Sequence, residues 1–327
     1  MKRHASVLAI AMVAVVSAAL HSQQPPAGTP TPLPNPTPRE PSWAFQVITS
    51  KLPAEDATPK TVPGSTRKYT PGEIDDLFNP PDWFPEEHPP APQPVIKGSG
   101  AAMACGACHL MNGEGHPESA GFAGLTADYI VQQMNDFRSG ARQDFAKRMD
   151  RIAAALTPEQ TREIANWFAS LKPQRFTRVV EAATVPKTIV GQGRMRFVDP
   201  AGGTEPIGKR IITLPEDQER ARHRDPHSGF IAYVPPGSIA RGRTLVEQGG
   251  NGKTVACSTC HGVGMKGLAN VPRLAGVHPI YTARQLYHFK EGTRNGPDAP
   301  LMRMPVMRLT DDDIIDISAY LGSLPPA

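Results

Sequence analysis

Two pentapeptides in this 327-residue chain carry chemistry in their spacing: CGACH at 105–109 and CSTCH at 257–261, each a C-x-x-C-H. Two thiols three positions apart, with an imidazole directly after the second, share one face of a tight turn. Both sulfurs then reach the two vinyl groups of one haem as thioethers, and the histidine faces the iron. Cys105, Cys108, Cys257 and Cys260 are all the cysteines there are, too few for a disulfide scaffold of this length. A zinc ribbon needs its C-x-x-C pairs roughly 15–20 residues apart, and here about 150 intervene. A redox dithiol would not need a following histidine in both places. The pattern predicts two covalently attached haem c groups, with His109 and His261 as iron ligands.

The pentapeptides sit in an internal repeat. At an offset of 152, Cys105, Cys108 and His109 pair with Cys257, Cys260 and His261, Ala123-Gly124 with Ala275-Gly276, Tyr129 with Tyr281, Phe137 with Phe289, and Arg142 with Arg294. One inserted residue raises the offset to 153, after which Met149 matches Met302, Leu156-Thr157 matches Leu309-Thr310, and Ile164 matches Ile317. So many identities at one offset indicate a duplicated domain. A haem with histidine on one side takes a sixth ligand from a later loop, and thioether sulfur is a common choice. Met149 and Met302 hold matched positions for it, while Met304 competes with Met302 within LMRMPVM. His88, His116, His223, His227, His278 and His288 have no mates in the repeat and are expected to be surface or hydrogen-bonding residues.

Helices must position these groups. Thr126 is placed to cap a helix with Ile130, Met134 and Phe137 on one face, and Thr157-Pro158-Glu159-Gln160 is a capping box before Ile164, Trp167, Phe168 and Leu171. In the second copy, 282–285 is expected to start one helix, and Thr310 to Asp313 another carrying Ile314, Ile317, Leu321 and Leu324.

The remaining sequence divides cleanly. Lys2 and Arg3 precede an uncharged, mostly apolar run at 5–20, then small residues and prolines. This is the pattern of a secretory signal peptide over 1–22, too short for a membrane span. An uncleaved N-terminal anchor is the alternative, and the only route to membrane association. Residues 22–96 hold 19 of the 36 prolines. They are expected to form an extended tether without a core of its own. Its apolar end at 71–85 is placed to dock on the first lobe or on a partner. Residues 173–237 mix β-branched pairs with Gly and Pro and read as a linker or small strand-containing subdomain. A formal charge of +4 is too small to signal nucleic-acid binding. The tether nonetheless has 5 basic and 9 acidic residues, against 10 and 7 in 238–327.

CSTCH, PRLAG, YTARQLYHFKEGTR, Met302 and LTDDDIIDISAYL together resemble the small class I cytochromes c. Paired with CGACH, LTADYIVQQMNDFRSGAR, Met149 and LTPEQTREIANWF, they are similar to the tandem dihaem arrangement of the cytochrome c4 type. The resemblance covers 97–172 and 238–327, about half the chain. It implies a mainly α fold: two cytochrome c lobes joined by an irregular linker with short strands, preceded by the proline-rich tether. It also implies that a Pro272 carbonyl receives the second N–H of His261, whereas the first lobe has Ala120 there, a departure expected to loosen the turn. Lobe 1 has little sequence for an N-terminal helix and is expected to borrow packing from the tether. The implied role is one-electron transfer in the periplasm between a donor, a quinol-oxidising complex or a dehydrogenase, and an oxidase. Two alternatives keep the cofactors but assign a different role, either a subunit of a dehydrogenase complex or a dihaem peroxidase with one methionine dispensable.

Overall fold

The computed structural model describes residues 35–326; the leader expected at 1–22 and the start of the tether lie outside them. The tether contains α1 (Pro71–Asp75) and α2 (Gln93–Ile96). Next come α3 (Gly106–His109), α4 (Ala127–Ser139), α5 (Arg148–Ala155) and α6 (Pro158–Ser170). The middle segment supplies β1 (Thr177–Glu181), β2 (Thr184–Pro186), β3 (Thr188–Val190), β4 (Arg196–Val198), β5 (Thr204–Pro206), β6 (Ile212–Pro215), α7 (Gln218–Arg222) and β7 (Phe230–Val234). It is followed by α8 (Ser238–Gln248), α9 (Ser258–His261), α10 (Pro279–Glu291), α11 (Ala299–Val306) and α12 (Asp311–Ser323).

Local chemistry sets the helix ends. The Thr126 hydroxyl accepts from the Tyr129 N–H, and Gly140 closes α4 in the left-handed region that a side chain would resist. Thr157 with Gln160, and Thr310 with Asp313, form reciprocal capping boxes at α6 and α12. Helix α10 starts at Pro279, one turn before the expected 282–285. Proline suits the first helical position because its missing N–H would be unpaired there, and Thr282 is consequently buried inside the helix.

Helices α4, α5 and α6 pack through Ile130, Met134, Phe137, Ile164 and Phe168. In the second lobe α8 crosses α12 so closely that a Cβ on Gly242 would collide with the Asp316 carbonyl oxygen. The first lobe has only the four-residue α2 in that place, resting on α6. Its cover comes from the tether: Val95 of α2 is fully buried, and the Trp167 Nε1–H donates to the Pro89 carbonyl at 3.0 Å.

The tether does not lack a core, contrary to expectation. Val62, Ile74, Trp83 and Phe84 bury one another, with Tyr69 edge-on to Trp83 at 4.7 Å. This knot rests on the middle segment as well as on lobe 1: Trp83 Nε1–H donates to the His223 carbonyl at 2.7 Å, and the Ala104 N–H donates to the Leu77 carbonyl at 2.9 Å. Further upstream, Trp43, Ala44 and Phe45 enter the core of the second lobe. Prolines restrict the unfolded chain, so ordering such a segment costs less entropy than its irregular path suggests.

In the middle segment β1 pairs in parallel with β7, which pairs antiparallel with β6. This sheet lies against α12, and Ile211, Ala232 and Val234 join the second core. Strands β3 and β4 form a hairpin whose turn spans 191–195.

Candidate haem sites

Each pentapeptide folds as a single helical turn, with the His109 N–H bonded to the Cys105 carbonyl and the His261 N–H to the Cys257 carbonyl, both at 2.9 Å. A loop then returns beneath each histidine, starting where Gly115 and Gly267 donate to the His109 and His261 carbonyls, again both at 2.9 Å. These glycines have φ of +67° and +92°, and a Cβ on Gly115 would sit 2.6 Å from the Ala120 carbonyl oxygen. The loops bring the Ala120 and Pro272 carbonyls to 2.8 Å from Nδ1 of His109 and His261. Replacing proline by alanine in lobe 1 therefore leaves this hydrogen bond in place.

A carbonyl only accepts, so Nδ1 of each ring carries the proton and Nε2 keeps its lone pair. Nε2 of His261 is buried without a partner. Burial pushes His109 down to about 4 and also lowers His261, keeping both imidazoles neutral, the form that binds a metal. Burial likewise pushes the Cys105 thiol up to about 12 and the Cys257 thiol up to about 11. A reactive redox dithiol shows the opposite shift. Among the described residues no three His, Cys, Asp or Glu side chains gather to hold a metal ion, so the pentapeptides make no zinc-type cluster.

A cavity of about 510 Å³ is lined by Cys105, Cys108, His109 and Met149 of one lobe and by Cys257, Cys260, His261 and Met302 of the other. Met304 is 72% exposed and does not line it. Ile130, Phe137, Ile164, Leu286, Phe289 and Ile317 give the cavity an apolar wall. Six arginines (142, 148, 194, 273, 284, 294) also line it, against four carboxylates (Glu118, Asp136, Asp144, Asp298). Thiol pairs, an unpaired imidazole nitrogen, an apolar wall and surplus positive charge fit a flat apolar macrocycle bearing carboxylates.

The two ends differ in their bracing. Phe122 stacks on the His109 ring at 4.0 Å with Phe168 edge-on behind it, whereas the matching positions in lobe 2 are Leu274 and Leu321. Four of the six unmatched histidines, His116, His223, His278 and His288, are buried rather than at the surface. Each is hydrogen-bonded, His278 Nδ1 to the Thr177 hydroxyl at 2.6 Å and His288 Nδ1 to the Thr293 hydroxyl at 2.6 Å among them.

Between the lobes the repeat acquires a use that its identities alone did not reveal. Arg142 donates to the Tyr281 hydroxyl at 3.0 Å and to Gln285 at 2.8 Å, while Arg294 donates to the Tyr129 hydroxyl at 2.6 Å and to Gln133 at 2.8 Å. Each lobe thus offers its Arg to the other's Tyr and Gln. The signal was present in Tyr129/Tyr281 and Arg142/Arg294, whose pairing was visible without its purpose.

Two C-x-x-C-H turns opening on an apolar cavity with histidine and methionine side chains define a c-type cytochrome. The cytochrome c family model matches residues 239–325. A thiosulfate dehydrogenase electron acceptor from Stutzerimonas stutzeri (strain A1501) is 36% identical over 228 residues, covering 68% of this chain and 80% of that protein. Cytochrome c4 from Pseudomonas aeruginosa is 28% identical over 232 residues, covering 69% and 87%. A thiosulfate dehydrogenase electron acceptor from Thiomonas intermedia (strain K12) is 26% identical over 230 residues, covering 68% and 80%. The chain belongs to the dihaem class I c-type cytochromes of the c4 type, electron-transfer proteins with two covalently bound haem c groups.

Proposed function

We propose that the protein is an exported, periplasmic dihaem carrier that takes single electrons from a dehydrogenase and passes them to an oxidase. A dehydrogenase donor is supported by the names of two relatives, both electron acceptors of thiosulfate dehydrogenase. Export is supported by the basic start and apolar run at 1–22. No helix among the described residues is long and apolar enough to cross a membrane.

In this reading Cys105 and Cys108 hold one haem and Cys257 and Cys260 the other. His109 and Met149 would ligate one iron, and His261 and Met302 the other. When bound, haem iron held this way would supply reversible one-electron chemistry without an open site for substrate. The chain's own residues do the rest. The Ala120 and Pro272 carbonyls fix each imidazole by its Nδ1 proton, and the apolar wall excludes water. The observation that carries the proposal is the cavity bringing both C-x-x-C-H turns to Met149 and Met302 while Met304 faces outward. Redox titration with optical spectra tests it on the wild type and on Met149→Ala, Met302→Ala and Met304→Ala. Each of the first two variants should lose one methionine–iron band and Met304→Ala none; loss on Met304→Ala would refute the ligand set.

A further inference from the structure

The β3–β4 hairpin belongs to the middle segment, outside both cytochrome lobes, yet its turn enters the haem cavity. Arg194 stands at that turn. It is 7% exposed and lines the cavity, and its Nε and Nη1 are buried without a hydrogen-bond partner. Two unpaired guanidinium nitrogens out of water are strongly unfavourable unless an anion meets them. The backbone is strained as well: Arg194 has φ of +62°, directly after Gly193 at +67°. Non-glycine side chains resist that region, and such strain persists where the surrounding structure requires a particular side-chain direction. The turn is held from both sides, by the Arg194 N–H to the Gly191 carbonyl at 3.0 Å and by the Thr49 N–H of the tether to the Val190 carbonyl at 2.9 Å.

The charges around Arg194 are unbalanced. Its neighbours are the carboxylates of Glu118 and Asp144 and the guanidiniums of Arg284 and Arg148. Glu118 is already engaged by Gln46 and Arg284. Asp144 accepts from the backbone N–H groups of Arg148 and Met149. Arg148 adds another buried, unpartnered Nε. Three guanidiniums face two committed carboxylates, which leaves room for an acidic group brought by the cofactor.

We propose that Arg194 is a haem-carboxylate clamp, by which the middle segment holds a propionate of the haem attached at Cys105 and Cys108. This rests on the haem assignment above. Its consequence is that the two haems differ in potential because only the first is reached by a charge from outside the lobes. Arg194 lies outside the repeat, so the offset pairs it with no residue of lobe 2.

The test uses the full-length holoprotein with Arg194→Gln and Arg194→Lys, checked for two haems and wild-type melting. Spectroelectrochemical titration reads both potentials, and Met149→Ala identifies which belongs to lobe 1. Removing the positive charge leaves a carboxylate uncompensated and favours the oxidised haem. R194Q should therefore weaken reduction of the lobe-1 haem by about tenfold, or about 59 mV for a one-electron couple, and leave the lobe-2 haem unchanged. R194K should give a smaller shift of the same haem. No shift, or an equal shift of both, would overturn the clamp. If R194Q does not fold, R194K alone decides, since losing the planar fork must still move the lobe-1 haem. Failure of the ligand reading shows separately, as a wild type without two haems or a Met149→Ala protein that keeps both methionine–iron bands.

Discussion

Phe45 ties the tether to both lobes, and removing it should release the tether. The ring is 1% exposed. It meets Phe145 at 5.2 Å, Tyr287 at 5.9 Å and His288 at 5.5 Å, with the Arg39 guanidinium 4.0 Å from its centroid. Transfer of a phenylalanine side chain from water contributes about 1.5–3 kcal/mol, and each edge-to-face contact adds about 0.5–1.5. Truncation also leaves a cavity, so Phe45→Ala should cost about 4 kcal/mol. That is about three powers of ten in the equilibrium for lifting this stretch of tether. Trypsin acting under native conditions reports that equilibrium when reclosing outpaces cleavage. The neighbouring bond after Lys51 is anchored by Thr49 and Ser50, whose N–H groups donate to the Val190 carbonyl. Cleavage there should accelerate by about a thousandfold in Phe45→Ala and only modestly in Phe45→Leu, which keeps most of the volume. Cleavage within about threefold of wild type, together with unchanged melting, would show that Phe45 is not an anchor.

Two further changes probe the second lobe. Burial pushes His278 down to about 4, whereas the unfolded chain protonates it near 6.5. The unfolded state therefore binds the extra proton first, so this contribution to stability is complete above about pH 6.5 and falls as pH drops toward 4, by up to about 3 kcal/mol. His278→Gln should flatten the decline in melting temperature between pH 7.5 and 4.5, and an unchanged slope would contradict it. At Gly242, alanine gains about 1 kcal/mol in helix propensity. It nevertheless places Cβ against the Asp316 carbonyl, so Gly242→Ala should lower stability by about 2–3 kcal/mol, measured by thermal unfolding of the holoprotein.

What the sequence disclosed was local or periodic. The C-x-x-C-H turns and the capping residues Thr126, Thr157 and Thr310 depend on neighbours in the chain, and the structure holds them as expected, while the 152-residue offset is a periodicity of the sequence itself. The tether misleads because proline reports backbone angle and not burial: Trp43, Phe45 and Trp83 are core residues within a stretch whose composition suggests none. Helix α10 begins one turn earlier than expected because Thr282 resembles a cap while Pro279 decides. Arg194 is invisible for a different reason. It has no repeat mate, and the only hint is a glycine-punctuated turn, GQGRM, between the short runs TIV and RFV that pair as a hairpin.

The reciprocal grip of Arg142 and Arg294 has the form of an isologous dimer interface, in which residue i of one half meets j of the other and j meets i. Here that interface is written twice into a single chain, so a substitution at Tyr129 acts on one side only, whereas in a true dimer it would act on both. This grip treats the halves alike, whereas Arg273 and Arg284 of the second lobe reach Glu114 and Glu118 of the first with no mirrored pair. Distinction between them enters through side chains that the repeat did not keep, Phe122 and Phe168 against Leu274 and Leu321, and through the parts that occur once, the tether and the middle segment.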